Sequence, residues 1–274
     1  MKYEIINAHC HVYPAKIARK AAANIGLFYG YEVPEFQGGD PGTLEALLYE
    51  GREAGLSGYC VSGAATSPAQ VQPTNDSLLL LLHSPLLSPG ESLFCFGTVH
   101  PEFNGVESEL QRIQAAGALG IKLHPDCQRF NIDDRSAYTI YESAQALRLP
   151  ILMHLGDESH DFSDPRRLVK VCSDFPNLRF IAAHLGGYRD WQNGLLLRGL
   201  ENVWFDTCSS QSILPPETAV NQIRAFGAER CFFGSDYPLW SVKPELEAFL
   251  KLGLSDRENE LILALNFKRF INAY

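Results

Sequence analysis

The strongest constraint on this chain is an alternation that recurs eight times: a short apolar run, then a segment with helical spacing. The runs occupy about 3–11, 58–62, 93–99, 119–123, 151–153, 178–183, 203–206 and 231–234. Strands this short and this uniformly apolar belong to parallel sheets, which helical crossovers cover on both faces. The segments between them read as helices near 44–54, 75–87, 106–116, 136–147, 165–173, 190–198, 217–226 and 244–252, with a last helix near 257–272. Eight strand–helix units predict an α/β chain folded as a (β/α)8 TIM barrel with an extra C-terminal helix. The competing architecture is a doubly wound open sheet, and no Gly-x-Gly-x-x-Gly turn follows the first strand to support it. There is no linker, repeat or low-complexity stretch, so residues 1–274 read as a single domain.

Composition narrows the function. Hydrophobic residues make up 46% of the chain and charged residues 20%, enough for a large core. A formal net charge of −9 without a basic run argues against nucleic acid and against an anionic membrane surface as partners. No signal-like segment opens the chain, and no stretch approaches the roughly 18 apolar residues of a membrane helix. Seven cysteines, an odd number without pairing spacing, read as buried free thiols of a reducing compartment, so the expected location is the cytoplasm. The stretch 26–42, punctuated by Gly and Pro, lacks a period and reads as a long loop over the first strand's end. Thr43 then caps a helix that stops at Gly55.

The polar residues fall in one place. Strand side chains alternate, so His9 and His11 face the same way and Cys10 the other. Six of the eight histidines (His9, His11, His100, His124, His154 and His184) lie at or just beyond strand carboxyl ends; only His83 and His160 do not. The eighth strand runs into Gly234-Ser235-Asp236. In a parallel barrel those ends open onto the face where active sites are assembled. His9, His11, His154 and Asp236 make three imidazoles and one carboxylate, a donor set for a divalent first-row metal. The same alternation turns Lys122 and His124 into the barrel, where a lysine needs an anionic partner or a lowered pKa. Arg189 follows the sixth strand and is a candidate for a substrate carboxylate. Asp157, Glu158 and Asp206 either orient a ligand histidine or, on the preferred reading, are solvated loop carboxylates.

Five motifs carry a resemblance: Asn7-Ala8-His9-Cys10-His11, Gly120-Ile121-Lys122-Leu123-His124-Pro125, His154 on the fifth strand, Ala183-His184-Leu185-Gly186-Gly187 and Gly234-Ser235-Asp236-Tyr237-Pro238. Their order resembles the amidohydrolase superfamily, and within it the amidohydrolase-related branch that includes aminocarboxymuconate-semialdehyde decarboxylase-like enzymes. The resemblance implies His9, His11, His154 and Asp236 as ligands of one divalent metal, zinc in most members and manganese in some. It implies His184 as a catalytic or substrate-polarising group. In binuclear members of the superfamily a fourth-strand lysine is carboxylated and bridges two metals. The mononuclear branch lacks that bridge, and this chain is read with it: Lys122 is an unmodified amine which, with His124 and Arg189, contacts an anionic small-molecule substrate.

The expected reaction is hydrolysis of an amide, ester or lactone, with Asp236 taking the proton of the attacking water and His184 supporting the oxyanion. The alternative is non-oxidative decarboxylation of a small carboxylic acid on the same scaffold, and a third reading is an inactive binding barrel. The ground for preferring hydrolysis is the scarcity of insertions from which to build an aromatic pocket. Homo-oligomerisation is left open. Substrate choice falls to the loops 26–42, 64–73, 126–133 and 237–243, which carry no readable signature.

Overall fold

The computed structural model describes residues 2–272. Its eight strands are β1 (Ile6–His11), β2 (Gly58–Ser62), β3 (Ser92–Thr98), β4 (Gly120–Leu123), β5 (Ile151–Met153), β6 (Phe180–Ala182), β7 (Val203–Asp206) and β8 (Cys231–Phe232). They pair in parallel and in chain order. The ring closes where Ala8 N donates to Phe233 O (2.8 Å), Asp236 N to His9 O (3.0 Å) and His11 N to Tyr237 O (2.6 Å). This is the TIM barrel that the alternation predicts.

Two cores hold it. The larger lies between strands and helices and contains Cys10, Ile121 and Leu123 among its members. The smaller fills the barrel's lower interior with Ile6, Ala8, Phe96, Leu152 and Phe232, against Phe267 and Phe270 of the last helix. The C-terminal segment expected at 257–272 is Asp256–Glu260, a π turn over Leu261–Leu265 and Asn266–Ile271. Within that turn Ile262 O accepts the Phe233 amide at 2.9 Å, joining the segment to the strand it covers. The floor is thereby plugged, and polar chemistry is left to the opposite end.

The largest departure from expectation is helix α1 (Ala15–Tyr29), which runs through the start of the stretch read as a loop. Its buried stripe is Ala18, Ala22 and Gly26, residues too small to give a strong apolar signal. Gly26 is required: a Cβ there would stand 2.6 Å from Tyr31 O and 2.8 Å from Val33 Cγ2. Helix α2 (Leu44–Ala54) begins and ends as expected, with Thr43 Oγ1 accepting from Ala46 N and Gly55 in the left-handed region (φ 70°). Helix α3 (Val71–Leu81) starts four residues before the expected 75, because Pro73 sits in its first turn, where a missing N–H costs nothing. The helix expected at 190–198 is a short turn, Trp191–Gly194, followed by a 3-10 turn, Leu195–Leu197. Among the described residues no helix is long and apolar enough to cross a membrane.

Candidate metal centre and cavity

Plain alternation from Ile6 and Ala8, which face the barrel floor, would turn Cys10 inward and the histidines outward. The register of β1 against β2 shifts between Asn7 and Cys10, a bulge of one residue. Beyond it Cys10 joins the outer core and His9 and His11 face the barrel, their Nε2 atoms 3.1 Å apart. Asn7 ties the bulge to the end of β8, donating to Ser235 Oγ (2.7 Å) and accepting from Ser235 N (3.0 Å). Gly234 permits the approach, since a Cβ there would lie 2.9 Å from that of His9.

Asp236 completes the group. Its backbone is left-handed (φ 61°), Oδ2 accepts from Ser209 Oγ (2.7 Å), and Oδ1 lies 3.3 Å from His11 Nε2 and 3.7 Å from His9 Nε2. Burial would raise its pKa, but the His11 hydrogen bond and the His9 and His184 charges hold the carboxyl well below the usual range. Behind His9, the buried Asp206 carboxylate receives Nδ1 at 2.8 Å and also accepts from the His184 amide and the Cys208 thiol. Its pKa is about 2, burial being outweighed by His9. Burial and Lys122 lower His9 to about 4. Asp206 is therefore no solvated loop carboxylate: it fixes the tautomer of His9 and leaves Nε2 as a lone-pair donor, the arrangement that orients metal-bound histidines. The ligand atoms of His9, His11 and Asp236 all lie within 4.8 Å of one another, and that His–His–carboxylate set, with His9 and Asp236 buried and His11 partly so, fits a divalent first-row metal.

His154 stands apart from this trio. Its Nδ1 lies 2.9 Å from His184 Nε2, and its Nε2 faces Gly156 O (2.9 Å) and Tyr29 OH (3.2 Å). Its ligand-bearing neighbours are His124, whose ring stacks on it at 3.9 Å, and the buried Asp126. His184 lies between the two groups, with Nδ1 3.1 Å from Cys208 Sγ. Its backbone is left-handed (φ 60°), as is that of Leu185 (φ 50°). Such conformations persist where surrounding contacts over-determine them, here the hydrogen bond to Asp206. Lys122 is fully buried with Nζ 3.3 Å from His9 Nε2, and burial draws its pKa down against the pull of Asp236 and Asp206.

Above these groups is a cavity of about 610 Å³. Its walls include Ile17, Ile25, Phe28 and Tyr29 of α1, and Lys122, His124, His154, His184 and Asp236 line it as well. Arg189, expected at the substrate, is outside the lining; its guanidinium is held by Tyr31 OH (2.6 Å), Tyr188 OH (3.3 Å) and Glu158 (3.1 Å). The arginine that does line the cavity is Arg129, in the turn after β4, which sequence reasoning passed over. His100 serves a turn, its Nδ1 accepting from the Glu102 amide (3.2 Å). Tyr29 was also missed, because its helix was read as a loop. The four-residue spacing of Ala18, Ala22 and Gly26 was the available signal.

A barrel carrying buried histidines and an aspartate at its open end defines a class. The chain matches the amidohydrolase family over residues 6–271 and belongs to it. No curated protein matches the sequence. Among solved structures, an uncharacterised TIM-barrel protein from Bordetella bronchiseptica is 18% identical, with a TM-score of 0.76 and 98% of each chain covered. A 5-carboxyvanillate decarboxylase from Novosphingobium aromaticivorans, complexed with manganese and 4-hydroxy-3-methoxy-5-nitrobenzoic acid, is 15% identical, with a TM-score of 0.74 and 98% and 96% covered. A probable 2-pyrone-4,6-dicarboxylic acid hydrolase from Acinetobacter baumannii, with citric acid bound, is 15% identical, with a TM-score of 0.69 and 98% and 99% covered. At these identities the likeness shows the shared fold.

Proposed function

We propose that the chain is a metal-dependent carboxy-lyase that removes CO2, without oxidation, from a small aromatic or conjugated carboxylic acid. The observation that carries this reading is the wall of the cavity. Helix α1 is an insertion between β1 and α2, and it lays Ile17, Ile25 and Phe28 along the space above the histidine–aspartate cluster. The ground for preferring hydrolysis, the scarcity of such insertions, falls with it. An apolar wall that includes the rings of Phe28 and Tyr29 suits an aromatic ring, and a poorly solvated carboxylate is disposed to leave as neutral CO2.

His9, His11 and Asp236 would hold one divalent metal, zinc or manganese, with His154 as the fourth ligand that the motif order implies. Such an ion supplies a Lewis acid for a carboxylate or phenolate oxygen. The site is read as mononuclear: Lys122, an unmodified amine beside His9, supplies no bridging anion to offset the repulsion between two metal ions. Asp236, held ionised, can accept the proton of a substrate hydroxyl and deliver it to the ring carbon as the carbon–carboxyl bond breaks. His184 offers an imidazole to the charge developing on the substrate. Arg129 supplies positive charge, and the Lys122 amine a hydrogen-bond donor, to an anionic substrate. The ionised Asp236 favours a second reading, hydrolysis of a lactone or amide, because it could equally take a proton from water.

The test is to incubate metal-loaded protein with 5-carboxyvanillate, other hydroxybenzoates, and 2-pyrone-4,6-dicarboxylate, following CO2 release and ring opening separately. CO2 release from an aromatic acid, lost in His11→Ala, is the expected result. Ring opening alone would establish hydrolysis, and neither reaction would leave the barrel as a binding module.

A further inference from the structure

We infer that Tyr29 is a hydrogen-bond donor to an anionic oxygen of the bound substrate, carried to the cavity by helix α1. The inference rests on the reading of the cavity as a site for acidic molecules, and it follows from counting protons around one hydroxyl.

Tyr29 OH lies 2.7 Å from His124 Nε2 and 3.2 Å from His154 Nε2. Each imidazole's proton can be placed from its other contacts. His154 Nε2 is also 2.9 Å from Gly156 O, and a carbonyl only accepts, so this nitrogen carries the hydrogen. His124 Nδ1 accepts from the Cys127 amide at 3.4 Å, as the cap of the turn Pro125–Gln128, so its hydrogen is on Nε2. The His124 Nε2–H therefore points at the Tyr29 oxygen, and the His154 Nε2–H is shared between that oxygen and Gly156 O. The placement is unchanged if either ring gains a second proton. The phenol's own hydrogen cannot go to either nitrogen, and no other acceptor for it is found among the described residues. Tyr29 lines the cavity, so its donor is left for what the cavity holds.

The ring's position supports this role. Tyr29 packs edge-on against Tyr188 (5.2 Å) and Phe28 (4.9 Å), so its direction is set by packing. The His124 N–H, with a share of the His154 N–H, polarises the hydroxyl and makes it a stronger donor in turn. An aspartate or glutamate in its place would be an acceptor and would repel an anion. A phenol, by contrast, gives a neutral donor in a low-dielectric wall.

The probe is 4-hydroxy-3-nitrobenzoate, whose nitrophenolate band reports its hydrogen bonding, titrated by absorbance into metal-loaded wild type and Tyr29→Phe. Loss of a donor to a charged oxygen should weaken binding by roughly 10- to 100-fold and move the bound probe's absorption band. Metal content should stay the same; phenylalanine keeps the ring packing, and a modest fall in melting temperature is expected because His124 Nε2–H loses its acceptor. Equal affinity and an unmoved band in Tyr29→Phe would overturn the inference while leaving the cavity reading intact. If the probe fails to bind the wild type, or binds His11→Ala just as well, the cavity reading fails and the inference falls with it.

Discussion

His184→Asn should lower turnover by about 10²-fold or more while leaving metal content and substrate affinity close to wild type. Asparagine is the informative replacement because residue 184 is left-handed (φ 60°), a conformation asparagine tolerates, and its amide must still reach Asp206. The imidazole itself meets Cys208 on one side and His154 on the other, and burial lowers its pKa. A neutral histidine so placed can donate to charge that develops during reaction, which is where a donor lowers a barrier most. Steady-state kinetics and elemental analysis on the same preparation separate the outcomes. Loss of metal would make His184 a ligand, grouped with Cys208 and Asp236.

A second large effect concerns stability. Glu245 is buried in the first turn of the helix Val242–Leu250, where an ionised carboxylate is normally favoured. Burial is the stronger influence and raises its pKa to about 7, against the hydrogen bond from Ser212. Its Oε2 and the oxygen of the neighbouring Gln211 are both buried without a donor, and a proton on Glu245 supplies one. The native state thus keeps this proton at pH values where the unfolded chain, near 4.5, has lost it. The contribution is complete below about pH 4.5 and is lost as pH rises through 7, about 3 kcal/mol in all. Glu245→Gln carries no such proton. Denaturant titrations at pH 5 and pH 8.5 should therefore show the variant gaining on the wild type as pH rises, by most of that amount. A difference independent of pH would mean that Glu245 is ionised in the fold.

The strands could be read because a parallel barrel imposes a dense local signal: a strand buried on both faces must be apolar, and its end must meet the open face. That rule placed His9, His11, Lys122, His184 and Asp236 together before any contact was visible. Helix α1 escaped because alanine and glycine pack it, so its periodicity is one of size rather than hydrophobicity. Asp206 escaped because a carboxylate at a strand end looks the same in sequence whether it meets water or the Nδ1 of a histidine 197 positions away. His154 was placed at the correct strand end, but which ring nitrogen faces which neighbour depends on Gly156 and Tyr29, contacts made by loops. Arg129 and Arg189 illustrate the same limit. Both follow strands, and only the third dimension shows that one lines the cavity and the other is held among Tyr31, Tyr188 and Glu158.

The central claim is a single metal held by His9, His11 and Asp236. Elemental analysis of wild type and His11→Ala, purified without added metal and checked for native fold by circular dichroism, tests it directly. The account predicts about one equivalent of zinc or manganese per wild-type chain and a large loss in the variant. Two equivalents in the wild type, a full equivalent retained by His11→Ala, or no metal bound near neutral pH would contradict it.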